Sequence, residues 1–120
     1  MTYNFPPHTK GDTFPGRTFE IKIKTDPADI TDGAPLDLTN ASIRMQLRMS
    51  PTHPVSHELS TDNDMIIIDH NPLLGVFQVK EQIIDFPANN YVYDIEISWT
   101  SGKVKTYISG TWLIIQDITH

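Results

Sequence analysis

The sequence predicts an all-β protein, an immunoglobulin-like antiparallel β-sandwich preceded by an extended N-terminal arm, and three observations carry that expectation. Apolar residues recur with a period of two, most clearly where Tyr91, Tyr93, Ile95, Ile97 and Trp99 alternate with Val92, Asp94, Glu96 and Ser98. Roughly seven or eight such segments follow one another at spacings of about 8–12 residues, separated by Pro, Asp, Asn and Gly. Only residues 81–90, EQIIDFPANN, have room for a helical turn, and Pro87 limits them to one. The boundaries implied are an arm over residues 1–16 and a sandwich domain over residues 17–120.

A length of 120 residues suits one domain that buries a core without staples. Cysteine is absent, which excludes disulfides, thiolate metal sites and a nucleophilic thiol; stability then rests on packing and strand pairing. With 9 Lys and Arg against 15 Asp and Glu the formal charge is -6, the wrong sign for neutralising phosphates, so nucleic acid is not an expected partner. Many of the acidic residues adjoin Pro, Gly or Asn, where they serve turns. No apolar run nears the ~20 residues that span a bilayer, and the opening MTYNFPPHTKGD has neither the charged nor the apolar part of a signal segment. A soluble chain made in the cytoplasm, with no membrane partner, is expected.

The arm carries Pro6, Pro7, Gly11, Pro15 and Gly16, too many breakers for a regular element. It also carries Tyr3, Phe5 and Phe14, which a solvated tail has no use for. Either these rings pack on the domain's own surface or they anchor the arm on a neighbouring subunit. The second reading makes Tyr3, Phe5 and Phe14 candidate interaction residues and gives the arm a role in assembly rather than folding.

Residues 17–24 alternate Phe19, Ile21 and Ile23 with Thr18, Glu20, Lys22 and Lys24 and form the first strand. The sixteen residues 25–40, with two prolines and one glycine, make a long loop, either functional or a crossover between sheets; Leu36 and Leu38 around Asp37 would suit a short edge strand within it. Residues 42–48 send Ile43, Met45 and Leu47 inward and Arg44, Gln46 and Arg48 outward. Val55, His57 and Leu59 alternate with Ser56 and Glu58, and Asp62-Asn63-Asp64 turns the chain into the apolar run 65–68, the pattern of a fully buried strand. After Asn71-Pro72, residues 75–80 put Val76 and Gln78 on one face and Phe77 and Val79 on the other.

The long hairpin 91–116 organises the rest. A two-residue loop at Ser101-Gly102 would pair Trp99 with Val104, Ile97 with Thr106 and Ile95 with Ile108, and set Glu96 diagonally from Lys105. Gly110 keeps the strand's parity but has no side chain, which suggests a bend or bulge. The predicted core is Phe19, Ile21, Ile23, Ile43, Met45, Leu47, Ile67, Ile95, Ile97, Trp99, Ile108 and Ile114.

Residues that carry chemistry are few. Of His8, His53, His57, His70 and His120, only His53 and His57 have a ligand-like spacing, and Pro54 between them denies the helix that would make it useful. Asp62, Asn63 and Asp64 start like a calcium loop but lack its glycine and distal glutamate, so a turn is the simpler reading. There is no phosphate-binding loop, no Gly-x-Ser-x-Gly elbow and no Gly-x-Gly-x-x-Gly, and no carboxylate pair stands in a context that implies shifted acidity. Neither catalysis, metal nor cofactor is expected.

The segments GDTFPGRTFEIKI, PLDLTNASIRMQLR, GVFQV and YVYDIEISWTSGKVKTYISGTWLIIQDIT, in that order, resemble small β-sandwich virion proteins of tailed phages and prophages, and are similar to the N-terminal domain of siphophage baseplate upper proteins. The resemblance covers residues 11–119, and its most specific pieces are Leu36 to Ala41 and the strand Tyr93-Asp94-Ile95-Glu96 closed by Gly102-Lys103-Val104-Lys105-Thr106. Asn40 stands where many relatives have glycine and, like glycine, tolerates a left-handed backbone. The resemblance implies a virion component, an assembly or adaptor module of tail or baseplate, with head decoration or head fibre as other placements. It implies other virion proteins as partners and brings no catalytic residue. A homo-oligomer is expected, with Arg44 and Arg48 as further contact residues on a strand face of mixed charge. The alternative is a carbohydrate-binding module, for which Tyr91, Tyr93, Tyr107, Trp99 and Trp112 are the candidate aromatics, four of them on the predicted inner face.

Overall fold

The computed structural model describes residues 2–23 and 34–116, and these are all-β, without an α-helix. The strands are β1 Phe5–Thr9, β2 Thr13–Phe14, β3 Arg17–Glu20, β4 Lys22–Ile23, β5 Ala34–Pro35, β6 Ala41–Arg48, β7 His57–Ser60, β8 Ile66–Ile68, β9 Val76–Val79, β10 Gln82–Ile83, β11 Asn89–Trp99 and β12 Val104–Ile115. A single 3-10 turn, Pro72–Leu74, precedes β9, with the Asn71 side chain accepting from the Leu73 N–H at its start.

Five strands form a curled mixed sheet, a half-barrel, in the order β1-β12-β11-β6-β7. All its neighbours are antiparallel except β1, which runs parallel to β12. A three-stranded antiparallel sheet has the order β3-β9-β8, and two short pairs, β10-β2 and β4-β5, complete the set. Side chains from both larger sheets join one buried cluster, with Ile43, Met45, Leu47, Phe77, Val79, Tyr91, Ile95, Ile97, Ile108 and Trp112 fully enclosed. The two-residue period explains why. On β6 and β11 every second side chain is buried, and the cross-strand pairs Ile43–Ile97, Met45–Ile95 and Leu47–Tyr93 lie on one face.

The hairpin register differs near its tip from the simple two-residue expectation. The Gly102 N–H donates to the Trp99 carbonyl and the Trp99 N–H to the Lys103 carbonyl, so the loop is Thr100 to Gly102, with Gly102 at φ 95°. This shifts the pairing to Ser98–Val104, Ile97–Lys105 and Glu96–Thr106. Tyr107 then stands as an extra residue in β12, a bulge that returns the ladder to the expected Ile95–Ile108 pair. Two irregularities cancel, and the core beyond them keeps its parity.

Several expectations are corrected. The residues expected to form an arm are built into the fold: β1 extends the five-stranded sheet and Phe5 and Phe14 are 5% and 7% exposed. Pro6 and Pro7 are tolerated because β1 is an edge strand and its register shifts between Phe5 and His8. The bulge assigned to Gly110 sits at Tyr107. Gly110 instead lies beneath the Tyr3 backbone, whose N–H donates to the Ser109 carbonyl. In the run 65–68 the buried residue is Ile66 at 2%, while Ile67 is 48% exposed, because β8 is an edge strand packed on one face only. Ile23 and Trp99 are only partly buried against the core. Residues 17–24 split at Ile21, whose N–H donates to the Gly75 carbonyl. Lys24, His120 and much of the 25–40 loop lie outside the described residues; the strand in its described part is Ala34–Pro35, with Leu36 and Leu38 buried behind it. Asn40 has φ 57°, the left-handed turn its side chain suits.

Candidate interaction face

Because Ile43, Met45 and Leu47 point into the core, Arg44, Gln46 and Arg48 must line the outer face of β6. Register then decides their neighbours. Glu96 of β11 lies directly opposite Arg44, Asp94 opposite Gln46, and Glu58 of β7 opposite Gln46 on the other side. Arg44 donates to Glu96; the Arg48 Nη1 lies 3.3 Å from Asp94 Oδ2, its Nη2 3.4 Å from Gln46 Oε1, and Gln46 Nε2 3.4 Å from Glu58 Oε1. The Glu96 partner, chiefly through its hydrogen bond, raises the affinity of the Arg44 guanidinium for its proton. Both ion pairs are partly exposed, so each contributes at most about 1 kcal/mol to stability; the face is self-neutralised and polar rather than a fixed field of one sign. Towards β12 the face runs into a shallow groove of about 440 Å³, bordered by Asn4, Arg48, Asp94 and Thr111, where Asn4 Oδ1 accepts from the Thr111 N–H and lies 3.2 Å from its hydroxyl.

The five residues singled out from the sequence thus divide into two groups. Arg44 and Arg48 share this face, as their parity requires. Phe5 and Phe14 are buried in the core, with Tyr3 half-buried against it: Phe5 stacks on Trp112 with centroids 4.5 Å apart, Phe14 lies 5.1 Å from the same indole, and Tyr3 meets Phe19 edge-on at 5.5 Å under the Arg17 guanidinium. The partnership of Arg44 with Glu96 replaces the expected proximity of Glu96 to Lys105. It is legible only once β6 is known to neighbour β11, which no local signal in either strand announces.

The aromatic residues considered for sugar binding make no platform. Tyr91, Tyr93 and Trp112 are buried, and Trp99 meets Tyr107 at 78° while its Nε1–H donates to the Asp37 carbonyl and Lys103 approaches its ring. Asn63 is consumed by its turn, accepting from the Ser60 and Met65 N–H groups. Among the described residues no group of three or more His, Cys, Asp and Glu side chains gathers as a metal site would require.

His57, noted in the sequence only for its spacing from His53 and its parity with Val55 and Leu59, is half-buried against aromatic rings. Its ring stacks on Phe86 at 4.0 Å and meets Tyr91 edge-on, and this burial lowers its affinity for a proton. With a folded-state pKa below the unfolded value near 6.5, the unfolded chain takes up the proton first. Its stabilising contribution is therefore complete above that value and is lost as pH falls from there through the folded pKa. The urea midpoint should drop between pH 7.5 and 5.5, and His57→Phe, which keeps the ring stack, should flatten that drop; an equal drop in both proteins would exclude His57 as the source.

No family model matches the chain, and no curated protein matches it in sequence.

Proposed function

We propose that this protein is a structural component of a tailed-phage or prophage virion, an assembly or adaptor module of tail or baseplate that acts by contact and turns over no substrate. The observation that carries the proposal is the outer face of the curled five-stranded sheet, where Arg44, Gln46 and Arg48 of β6 lie beside Asp94 and Glu96 of β11 in a ladder of opposite charges suited to contacts that fix register with other virion proteins. The sequence segments that resemble phage β-sandwich proteins include β3, β6, β9, β11 and β12, five of the eight strands of the two larger sheets.

The same reading extends to the finer fold. In an immunoglobulin-like sandwich the strand order β12-β11-β6-β7 is the G-F-C-C′ sheet and β3-β9-β8 the B-E-D sheet. The Tyr91 hydroxyl donates to the Pro87 carbonyl four residues upstream, at the start of β11, where such folds place a tyrosine corner.

Particles purified from the source host should contain the chain in many copies, as counted by quantitative mass spectrometry; its recovery only outside particles would overturn the proposal. The paired exchange Arg44→Glu with Glu96→Arg retains the intrachain ion pair while reversing what a partner meets. It should leave the melting temperature within a few degrees of the parent and reduce incorporation into particles severalfold, whereas normal incorporation would remove this ladder from the contact.

A further inference from the structure

A single turn, residues 10–12, joins β1 to the rest of the described residues, and every contact that holds the strand lies beyond that turn. The Tyr3 and Lys10 N–H groups donate to the Ser109 and Ile115 carbonyls, Asn4 Oδ1 accepts from the Thr111 N–H, and the Tyr93 hydroxyl donates to the Tyr3 carbonyl. Phe5 is stacked on Trp112 and meets Phe14, Phe19 and Tyr93 edge-on. Gly110 leaves the space over which the Tyr3 backbone passes. The turn itself is tight: the Asp12 N–H donates to the Thr9 carbonyl across Lys10 and Gly11, and Gly11, at φ 88°, supplies the left-handed conformation that such a turn requires. A Cβ on Gly11 would meet nothing within 4 Å, so the backbone angle and not packing is what calls for glycine there.

We infer that β1 is an exchangeable strand: in a dimer of this chain the turn over residues 10–12 opens, and each β1 docks on the β12 of the other copy in the register it holds within its own chain. The structure fixes the occupant, because the groove already holds this strand, with Phe5 opposite Trp112 and Tyr3 over Gly110. Exchange keeps all of those contacts between copies. It sacrifices only what spans the turn, the Asp12 N–H to Thr9 bond and the 2.9 Å approach of His8 Nε2 to the Asp12 carbonyl oxygen. The closed and exchanged forms therefore differ by the turn and the entropy of association, and concentration decides between them. Pro6 and Pro7 keep an undocked β1 extended, which reduces the entropy lost when it docks on either chain. The inference goes beyond the virion reading and stands without it.

A tethered strand meets its own groove at an effective concentration of roughly millimolar, so the full chain is unfolded in urea and refolded at about 1 mM and at about 1 µM. Size-exclusion chromatography with light scattering should find a dimer after the first and a monomer after the second. The isolated dimer should survive dilution and rechromatography, because its dissociation must first pull Phe5 out of the core. Asn4→Cys with Thr111→Cys reports which chain a strand occupies, since the sequence has no other cysteine and these two side chains touch across the groove. Oxidised after refolding, the pair should link two chains in the dimer and close within one chain in the monomer. Gly11→Ala, which strains the closed turn and leaves an open hinge unaffected, should raise the dimer fraction severalfold. A monomer at both concentrations, a dimer whose cysteines link only within chains, or an unchanged dimer fraction in Gly11→Ala would each overturn the inference.

Discussion

Deleting residues 1–9 is expected to unfold this protein or to lower its urea midpoint drastically. The deletion removes Phe5, which is 5% exposed, stacked 4.5 Å from Trp112 and in edge contact with Phe14, Phe19 and Tyr93. Losing a buried phenylalanine costs about 3–5 kcal/mol, and β1 takes with it the ladder to β12 and leaves the Tyr93 hydroxyl without the Tyr3 carbonyl it donates to. Domains of this size have only about 5–15 kcal/mol in total. Far-ultraviolet circular dichroism and urea titration of the truncated chain measure the effect. A midpoint equal to the parent's would mean that β1 is a dispensable arm, as its prolines alone suggest.

Gly110→Ala is expected to be nearly as damaging, for a reason local to one atom. A Cβ at this position would lie 1.9 Å from the Tyr3 carbonyl oxygen and 2.7 Å from its carbon, distances at which the backbone of residues 2–4 must move away. That movement breaks the Tyr3 N–H to Ser109 bond and the Tyr93 hydroxyl to Tyr3 bond, each worth about 1 kcal/mol, and adds overpacking strain of about 1–3 kcal/mol. The loss should total about 3–5 kcal/mol by chemical denaturation. In a chain that begins at Phe5 the clashing carbonyl is gone, and the same substitution should then be close to neutral. An undiminished penalty in that background would place the strain elsewhere.

Both effects arise from contacts between residues about a hundred positions apart, and this separates what was legible in the sequence from what was not. Alternation on β6 and β11 was legible because each buried residue has polar neighbours that declare its parity, and the outward set Arg44, Gln46 and Arg48 followed at once. The left-handed turn at Asn40 was expected from the resemblance, where asparagine replaces glycine, and the side chain's chemistry tolerates it. Within the run 65–68 every residue is apolar, so the pattern has no parity to declare, and only one-sided packing of β8 on β9 sends Ile66 inward and Ile67 out. The same absence of local signal hid the partner of Arg44, since an ion pair across neighbouring strands needs a strand order that neither strand encodes alone.

By itself, then, the sequence determined an all-β chain, the inner and outer faces of β6 and β11 and the position of the long hairpin, all properties of residues close along the chain. Tertiary structure alone decided that Phe5 and Phe14 belong to the core with Tyr3 packed against it, that Tyr107 bulges to restore the register, and that β8 is left as an apolar edge. The physical reason is that side-chain periodicity is a local constraint, whereas strand neighbours, the parallel docking of β1 on β12 and the identity of an edge follow from burying apolar surface across the whole chain at once.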